Sequence, residues 1–262
     1  MGQGYSKRVI DTHCHLADKQ FARDLPQVVV RAQEQGIDRM ITIADSIRES
    51  HRCLKIAEEF EQVFCAVGVH PHHAKDWKPA DADALRAMVS SSPKVRAIGE
   101  IGLDYHYHFS PREAQRPVFR AQLALAQELQ LPVVVHCREA IADVRSELQD
   151  RDLTRVVLHC CTEKWEDIAD LVAQGMFVSF TGIVTYPHAE EIRRVIQQCP
   201  MEQLMIETDA PYLAPVPYRG KRNEPAYVVE VARLLAKLKG ISFEEVDRET
   251  THNAVEFFGL PS

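Results

Sequence analysis

Residues 131–140 are Leu131-Pro132-Val133-Val134-Val135-His136-Cys137-Arg138-Glu139-Ala140, and they contain the pattern from which the fold is predicted. A β-branched run over Val133–His136 follows a proline and is typical of a strand buried on both faces. An amphipathic stretch over Ala140–Leu148 comes next and predicts a helix. Parallel strands need such a crossover between them, so a strand followed by a helix predicts a parallel sheet.

The same strand-and-helix unit recurs from one end of the chain to the other. The predicted strands cover Val9–His13, Arg39–Ala44, Val63–Val69, Val95–Ile101, Val133–His136, Val156–His159, Met176–Phe180 and Leu204–Glu207. The predicted helices cover Asp24–Gln35, Ile47–Phe60, Ala82–Val89, Pro111–Leu129, Ala140–Leu148, Trp165–Ala173, Ala189–Gln197, Pro225–Lys239 and Phe243–Phe258. Eight strands within 262 residues favour an α/β fold, the closed (β/α)₈ TIM barrel with a C-terminal helical extension. An open doubly wound sheet shows the same alternation, so periodicity alone leaves both folds open.

Short motifs mark the element boundaries. Ser110-Pro111-Arg112-Glu113 and Ser242-Phe243-Glu244-Glu245 each predict a capping box that opens a helix. No Gly/Ser-rich linker or low-complexity segment divides the sequence. We therefore expect one domain over residues 1–262.

Composition excludes some classes of protein. The formal net charge is −7, which argues against a protein that coats nucleic acid through bulk positive charge, although one local site for phosphate is compatible with it. No apolar run reaches the ~18–20 residues that span a bilayer, so no membrane association is expected. The seven cysteines have no regular spacing, and no apolar stretch of signal-peptide length precedes the first predicted strand. Both features predict a cytoplasmic protein.

Histidine and acidic residues follow several of the predicted strands. Alternation places His13 and His15 on one face of the first strand, where they converge on one metal only if the strand bends at its end. The other residues of this kind are Glu100, His136, His159 and Asp209. The alternative is that these polar side chains are buried in the core and hydrogen-bonded there, without a metal. A buried carboxylate is costly, however, unless it is paired with a cation or bound to a metal. Side chains at the carboxyl ends of barrel strands meet at one opening, so this set predicts a two-metal site.

At this point the sequence resembles the TatD-type metal-dependent deoxyribonucleases, a family of amidohydrolase-like barrels, from Asp11 to about Gly259. The matching stretches are Ile10-Asp11-Thr12-His13-Cys14-His15, Gly68-Val69-His70-Pro71-His72, Gly99-Glu100-Ile101-Gly102-Leu103-Asp104-Tyr105, residues 131–140 quoted above, Glu207-Thr208-Asp209-Ala210-Pro211-Tyr212-Leu213 and Arg219-Gly220-Lys221-Arg222-Asn223-Glu224-Pro225. The resemblance implies the (β/α)₈ barrel rather than the open sheet.

The resemblance also implies a role for each metal ligand. His13, His15 and Asp209 are expected at one metal ion, His136 and His159 at the second, with Glu100 bridging the two. The run His159-Cys160-Cys161-Thr162-Glu163 departs from the family, which usually has an aromatic residue and a glycine after the sixth-strand His-Cys. Because of Cys161 and Glu163, the family resemblance does not determine the pocket wall at these positions, and the identity of the substrate stays open.

A mechanism follows as a hypothesis. Two divalent ions acidify a shared water, which attacks phosphorus while Asp209 takes or shares its proton, so Asp209 and Glu100 are the predicted catalytic residues. Asp11 and Glu207 each lie two residues before a predicted ligand. They are expected to orient the histidine ligands from beneath the metals, because a metal-bound imidazole usually donates its other N–H. Buried acids that are paired elsewhere are the alternative.

Other residues are predicted to contact the substrate. Those expected to bind phosphate are His70, His72, Arg138, Arg219, Lys221 and Arg222. Tyr105 and Tyr212 are candidates for stacking on a base, or else residues that only close the barrel rim. A solvated charged turn is the alternative for the basic loop over residues 219–222.

The leading hypothesis is a metal-dependent phosphodiesterase acting on DNA, in single strands or at their ends, with Mg²⁺, Mn²⁺ or Zn²⁺ as cofactor and no obligate protein partner. The alternative is hydrolysis of an ester, lactone or amide, because the same metal pair polarises carbonyls. Arg138 and Arg219 would discriminate, since only an anionic substrate needs them. A metal-dependent binding protein without catalysis is the third hypothesis.

Overall fold

The computed structural model describes residues 8–149, 151–153 and 155–261. Within these residues, eight parallel strands lie side by side in the order in which they occur along the chain. The strands are β1 (Val9–Cys14), β2 (Ile37–Ile43), β3 (Val63–Val67), β4 (Val95–Asp104), β5 (Val133–Arg138), β6 (Val156–Leu158), β7 (Phe177–Phe180) and β8 (Leu204–Ile206). The helices are α1 (Leu25–Glu34), α2 (Ile47–Glu59), α3 (Pro79–Ser91), α4 (Arg112–Leu129), α5 (Ile141–Leu148), α6 (Trp165–Ala173), α7 (Glu190–Gln198), α8 (Val228–Lys239) and α9 (Phe243–Phe258). Short 3₁₀ segments cover Pro71–Asp76, Gly182–Thr185, Met201–Gln203 and Pro225–Tyr227.

The residues just after β8 join the sheet into a barrel. Cys14 and Ala210 form a parallel bridge. The His15 N–H donates to the Ala210 carbonyl at 2.7 Å, and the Asp209 N–H donates to the His13 carbonyl at 2.9 Å. These bonds bring the first and last strands together at their carboxyl ends. The predicted barrel is therefore confirmed, and its closing contacts involve three of the predicted metal ligands.

Two strands carry a bulge next to a predicted ligand. In β1, Asp11 lies opposite Met40 and Cys14 lies opposite Thr42, so three steps along β1 match two along β2. In β4, an irregularity of the same kind falls between Ile98 and Ile101 where the strand pairs with β5. A bulge bends its strand and redirects side chains, and here it does so at His13 and at Glu100.

The last helix, α9, closes the barrel at the end opposite these ligands. Phe257 and Phe258 of α9 are fully or almost fully buried and pack with the inward-facing Ile10, Ile41 and Phe64 of the barrel. The Asn253 amide donates to the carbonyls of Met201 and Leu204, which fixes α9 beside the start of β8. The last helix of the predicted extension therefore forms the floor of the barrel. In the described part of the chain, no helix combines the length and apolarity needed to cross a membrane.

The two predicted capping boxes have different outcomes. Ser242 opens α9 as predicted, since its hydroxyl accepts from the Glu245 N–H and the Glu245 carboxylate accepts from the Ser242 N–H. The prediction for Ser110 is wrong, because α4 begins with no side-chain cap. The Ser110 hydroxyl instead donates to the His72 carbonyl and accepts from the Lys75 N–H, which fastens the loop before α4 to the segment after β3.

Candidate metal centre

Glu100 lies at the centre of a cluster of imidazoles at the carboxyl end of the barrel. Its Oε1 is 2.7 Å from His159 Nε2, 2.9 Å from His136 Nδ1 and 3.4 Å from His70 Nε2. Its Oε2 is 3.5 Å from His13 Nε2. Burial alone would raise the pKa of Glu100, but the surrounding imidazoles, His159 and His70 foremost, hold it well below its ordinary value. The bulged β4 therefore carries an ionised carboxylate into the middle of the opening.

His13, His15 and Asp209 form a second part of the cluster. The Nε2 atoms of the two histidines are 3.3 Å apart, which the bend in β1 permits. Asp209 Oδ1 lies 3.2 Å from His15 Nε2 and 3.7 Å from His13 Nε2. Burial would raise the pKa of Asp209, but its hydrogen bond with His15 and the charges of both histidines lower it. Burial would likewise lower the pKa of His15, but Asp209 and Glu100 raise it to about 9.

The donor atoms fit divalent cations. Within the described part of the chain, three groups have ligand atoms that all lie within 4.8 Å of one another: His13 with His15 and Asp209, His70 with Glu100 and His136, and His13 with His159 and Glu207. The buried His13 Nδ1 has no hydrogen-bond partner among the described residues. Two imidazole nitrogens that face each other at 3.3 Å need a proton or a cation between them. Imidazole and carboxylate together suit zinc or manganese better than calcium.

His70 belongs to this cluster rather than to the rim alone. The sequence predicts a phosphate contact for it, and the structure places its ring in the same group as Glu100 and His136. Burial lowers the pKa of His70 to about 4, so its imidazole is neutral at pH 7. A neutral imidazole has a free lone pair for a metal, whereas a phosphate contact would favour the charged form.

Asp104 is a member of the site that the sequence analysis did not assign. Its Oδ2 accepts from His136 Nε2 at 3.0 Å and from His72 Nε2 at 2.9 Å. Burial would raise the pKa of Asp104, but these two histidines and the backbone N–H of Tyr107 hold it far below its ordinary value. With His136 Nε2–H bound to Asp104, the Nδ1 atom is the nitrogen left for a cation. The signal was the position of Asp104 at the end of the Gly99–Asp104 motif.

Asp11 and Glu207 are both buried beneath the cluster, but they act on different groups. Glu207 Oε1 lies 3.4 Å from His159 Nδ1, close enough for an electrostatic interaction, but this nitrogen makes no hydrogen bond among the described residues. Among the described residues, no hydrogen bond or ion pair joins the Asp11 carboxylate to an imidazole ring. This carboxylate accepts from the backbone N–H of His13 and from the N–H and hydroxyl of Thr208, so it joins β1 to the segment that carries Asp209. Burial raises the pKa of Asp11 to about 8.

A cavity of about 770 Å³ lies over the cluster. The predicted site residues that line it are His15, His70, His72, Glu100, His136, Arg138, His159, Asp209 and Tyr212. Glu163 also lines it and accepts from the Cys137 thiol at 3.4 Å, while Cys161 is buried. The departure from the family pattern thus places one carboxylate on the cavity wall, and burial raises its pKa.

Four predicted substrate contacts lie elsewhere. Arg222 forms ion pairs with Asp24 at 2.7 Å and with Glu224 at 2.8 Å, so its guanidinium is already occupied. The Tyr105 hydroxyl donates to Asp143 and the ring is buried, so of its two interpretations the structure favours a residue that closes the barrel rim over one that stacks on a base.

The remaining two are on the loop after β8. The Arg219 guanidinium lies over the Tyr186 ring, 4.4 Å from its centroid, and Lys221 is exposed. Neither is among the residues that line the cavity. For Lys221 and Arg219 the structure agrees with a solvated charged turn, whereas Arg222 holds two elements together.

Comparison with known proteins gives a consistent result. The family model for TatD related DNase matches residues 10–259. An uncharacterized metal-dependent hydrolase, YabD of Bacillus subtilis, is 38% identical over 254 residues, covering 96% of this chain and 99% of that protein. The 3'-5' ssDNA/RNA exonuclease TatD of Erwinia amylovora is 38% identical over 261 residues, covering 96% of this chain and 100% of that protein.

A solved structure shows the same architecture. The crystal structure of YjjV, a TatD homologue from Escherichia coli, superposes with a TM-score of 0.93 at 29% identity, covering 98% of this chain and 100% of that one. The family match spans every strand end that contributes to the candidate metal centre. The chain is therefore an enzyme of the TatD-related DNase family, whose members are metal-dependent hydrolases.

Proposed function

We propose that this enzyme hydrolyses phosphodiester bonds of DNA, in single strands or at strand ends, with two divalent ions as cofactors. The observation that carries the proposal is the convergence of four imidazole rings on the ionised carboxylate of Glu100. We assign His13, His15 and Asp209 to one ion. His136, His159 and His70 belong to the other, and Glu100 lies between the two groups.

When bound, the ions would acidify a shared water and stabilise negative charge on phosphate oxygens. Asp209 is the proton acceptor in this proposal, because its depressed pKa keeps it ionised at neutral pH and it faces the cavity. Asp104 and Glu207 keep the rings of His136 and His159 in one orientation. Asp11 keeps the backbone of β1 aligned with the segment that carries Asp209.

The cavity lining includes several carboxylates, but Arg138 and His72 lie close together in it, both against the Tyr107 ring. Arg138 forms no ion pair among the described residues, so its guanidinium is available to an anionic group of the substrate. A guanidinium at the mouth matches phosphate oxygens with a planar fork. Arg138 therefore supports phosphodiester hydrolysis over hydrolysis of a neutral ester, while Arg219 lies outside the cavity and supports neither.

The test is release of mononucleotides from end-labelled single-stranded DNA, with Mg²⁺, Mn²⁺ or Zn²⁺ and with chelator. We expect activity that chelator abolishes and that Asp209→Asn lowers by roughly a hundredfold or more without loss of folding. Glu256→Gln is the matched control, because Glu256 is an exposed acid on α9 at the closed end of the barrel. The absence of chelator-sensitive cleavage with any of the three ions would overturn the proposal. Turnover of a lactone or ester panel instead would favour the alternative hydrolase.

A further inference from the structure

An exposed aromatic surface lies beside the candidate metal centre, on the loop between β4 and α4. Phe109 is 58% exposed and Tyr107 is 41% exposed. Their rings stack with centroids 5.7 Å apart and an interplanar angle of 29°. The Arg138 guanidinium lies over the Tyr107 ring, 4.9 Å from its centroid. We call Tyr107, Phe109 and Arg138 the aromatic platform.

The aromatic platform is continuous with the metal centre. The His72 ring lies 4.8 Å from Phe109 and 5.6 Å from Tyr107, measured between centroids. On its other side, His72 shares the Asp104 carboxylate with His136, one of the proposed ligands. Tyr107 and Arg138 also line the cavity over the cluster. A molecule with one group at the metal centre therefore reaches the platform with the adjacent part.

The loop is held in place although its rings are exposed. The Asp104 Oδ1 accepts from the backbone N–H of His106 at 3.0 Å and of Tyr107 at 2.8 Å. At the far end, the Ser110 hydroxyl donates to the His72 carbonyl at 2.7 Å. Burial of both rings would be favoured by the hydrophobic effect, yet the fixed backbone keeps them at the surface. Exposed aromatic groups on a fixed backbone are typical of a binding surface, because little entropy is lost when a ligand stacks on them.

We infer that the aromatic platform stacks an unpaired nucleobase of the nucleotide next to the phosphate at the metal centre. This inference rests on the proposed function and adds the part of the substrate that the platform recognises. A planar base stacks on aromatic rings and on a guanidinium, and stacking of this kind does not depend on the sequence of the strand. Within a duplex the base is covered by its neighbours and is reached only after unstacking, so the platform selects single strands and frayed ends.

The first test compares two oligonucleotides of equal length, one with thymine bases and one in which every base is replaced by an abasic site. We expect Tyr107→Leu/Phe109→Leu to raise the KM for the thymine oligonucleotide roughly tenfold, with kcat unchanged. The KM for the abasic oligonucleotide should not change. Tyr107→Phe and Phe109→Tyr should keep the wild-type KM, because each retains the ring. Val30→Ala, at a 49% exposed apolar residue on α1, is the control for loss of surface apolar area.

The second test measures binding without turnover. A single-stranded oligonucleotide with 2-aminopurine at either end is titrated with the Asp209→Asn protein in Mn²⁺, and stacking should quench its fluorescence. The quenching should be lost when Tyr107→Leu/Phe109→Leu is added. Absence of quenching, or an equal rise in KM for both oligonucleotides, would overturn the inference. Quenching without any cleavage by the wild-type protein would overturn the proposed function alone.

Discussion

The Nε2 atoms of His13 and His15 lie 3.3 Å apart, although His13 lies in β1, His15 directly follows that strand, and only Cys14 separates the two residues. In a regular strand such side chains stand about 7 Å apart. The bulge in β1 shortens this separation, and the bond from the Asp209 N–H to the His13 carbonyl holds the bent strand against the segment after β8. The local backbone therefore sets the geometry of one proposed ion site.

Replacement of Glu100 should remove bound metal. We expect Glu100→Gln to fold but to lose metal and to lower hydrolytic activity by roughly a hundredfold or more, because a neutral amide cannot balance two cations. Metal content by elemental analysis and cleavage of labelled DNA provide the measurements. Glu256→Gln should retain both. A Glu100→Gln protein with wild-type metal content would contradict the assignment of Glu100 as the shared ligand.

Asp104 should act through the two histidines that it binds. We expect Asp104→Asn to weaken metal affinity roughly 10- to 100-fold, because an amide can leave the His136 ring without its carboxylate acceptor and fix the wrong tautomer. Titration of the metal-free protein with Zn²⁺ or Mn²⁺ gives the affinity. Thermal unfolding of the metal-free variant separates a loss of ligand orientation from a loss of folding. Unchanged metal affinity in a folded Asp104→Asn protein would argue against this role.

Gly102 permits the close approach of β4 to the strand that carries His136. Its φ is +144°, and a Cβ atom at this position would lie 2.0 Å from the His136 carbonyl oxygen. We expect Gly102→Ala to lower the free energy of unfolding by about 2–4 kcal/mol, since backbone must move as well as adopt a strained angle. Urea unfolding measures this change in the free energy of unfolding.

The control for this change is Gly220→Ala. Gly220 also has a positive φ, +86°, but a Cβ there would meet nothing within 4 Å. It should cost only about 1 kcal/mol, from the backbone conformation alone. Equal losses at the two positions would mean that the contact with His136 is not the cause.

Arg222 should matter for stability rather than for substrate binding. We expect Arg222→Met to lower the free energy of unfolding by about 1 kcal/mol and to leave KM for DNA unchanged, because its guanidinium is occupied by Asp24 and Glu224. Arg138→Met should have the opposite profile, with a raised KM and unchanged stability. A raised KM for Arg222→Met would instead support the phosphate contact that the sequence predicts for this residue.

The same ion pair predicts a pH dependence. The hydrogen bond with Arg222 lowers the pKa of Asp24 from 3.8 to about 2. Between these values the unfolded chain binds more protons than the folded one, so the stabilisation is complete above pH 3.8 and is lost as the pH falls towards 2. The difference in unfolding free energy between wild type and Asp24→Asn should therefore be constant from pH 5 to 7 and shrink below pH 4. A difference that grows on acidification would contradict this linkage.

Local sequence patterns predict the eight strand–helix units, because β-branched runs are typical of buried strands and amphipathic stretches show the period of a helix. They also predict which strand ends carry histidines and acids, since strands of a parallel barrel have their carboxyl ends at one opening. The motif that ends at Asp104 was visible, but its partner could not be named, because His72 and His136 come from other strand ends.

Which of these groups meet depends on the assembled barrel. Barrel closure joins His13 to Asp209, which lie far apart along the chain, and it places His70 beside Glu100. It also pairs Arg222 with Asp24, which removes that cation from the cavity, and leaves Tyr107 and Phe109 at the mouth. The spacing of apolar and polar residues along a chain specifies the type of secondary structure and the face on which each side chain lies. The distance between side chains on different strands depends on register, bulges and loop packing, which are fixed only when the whole barrel is assembled.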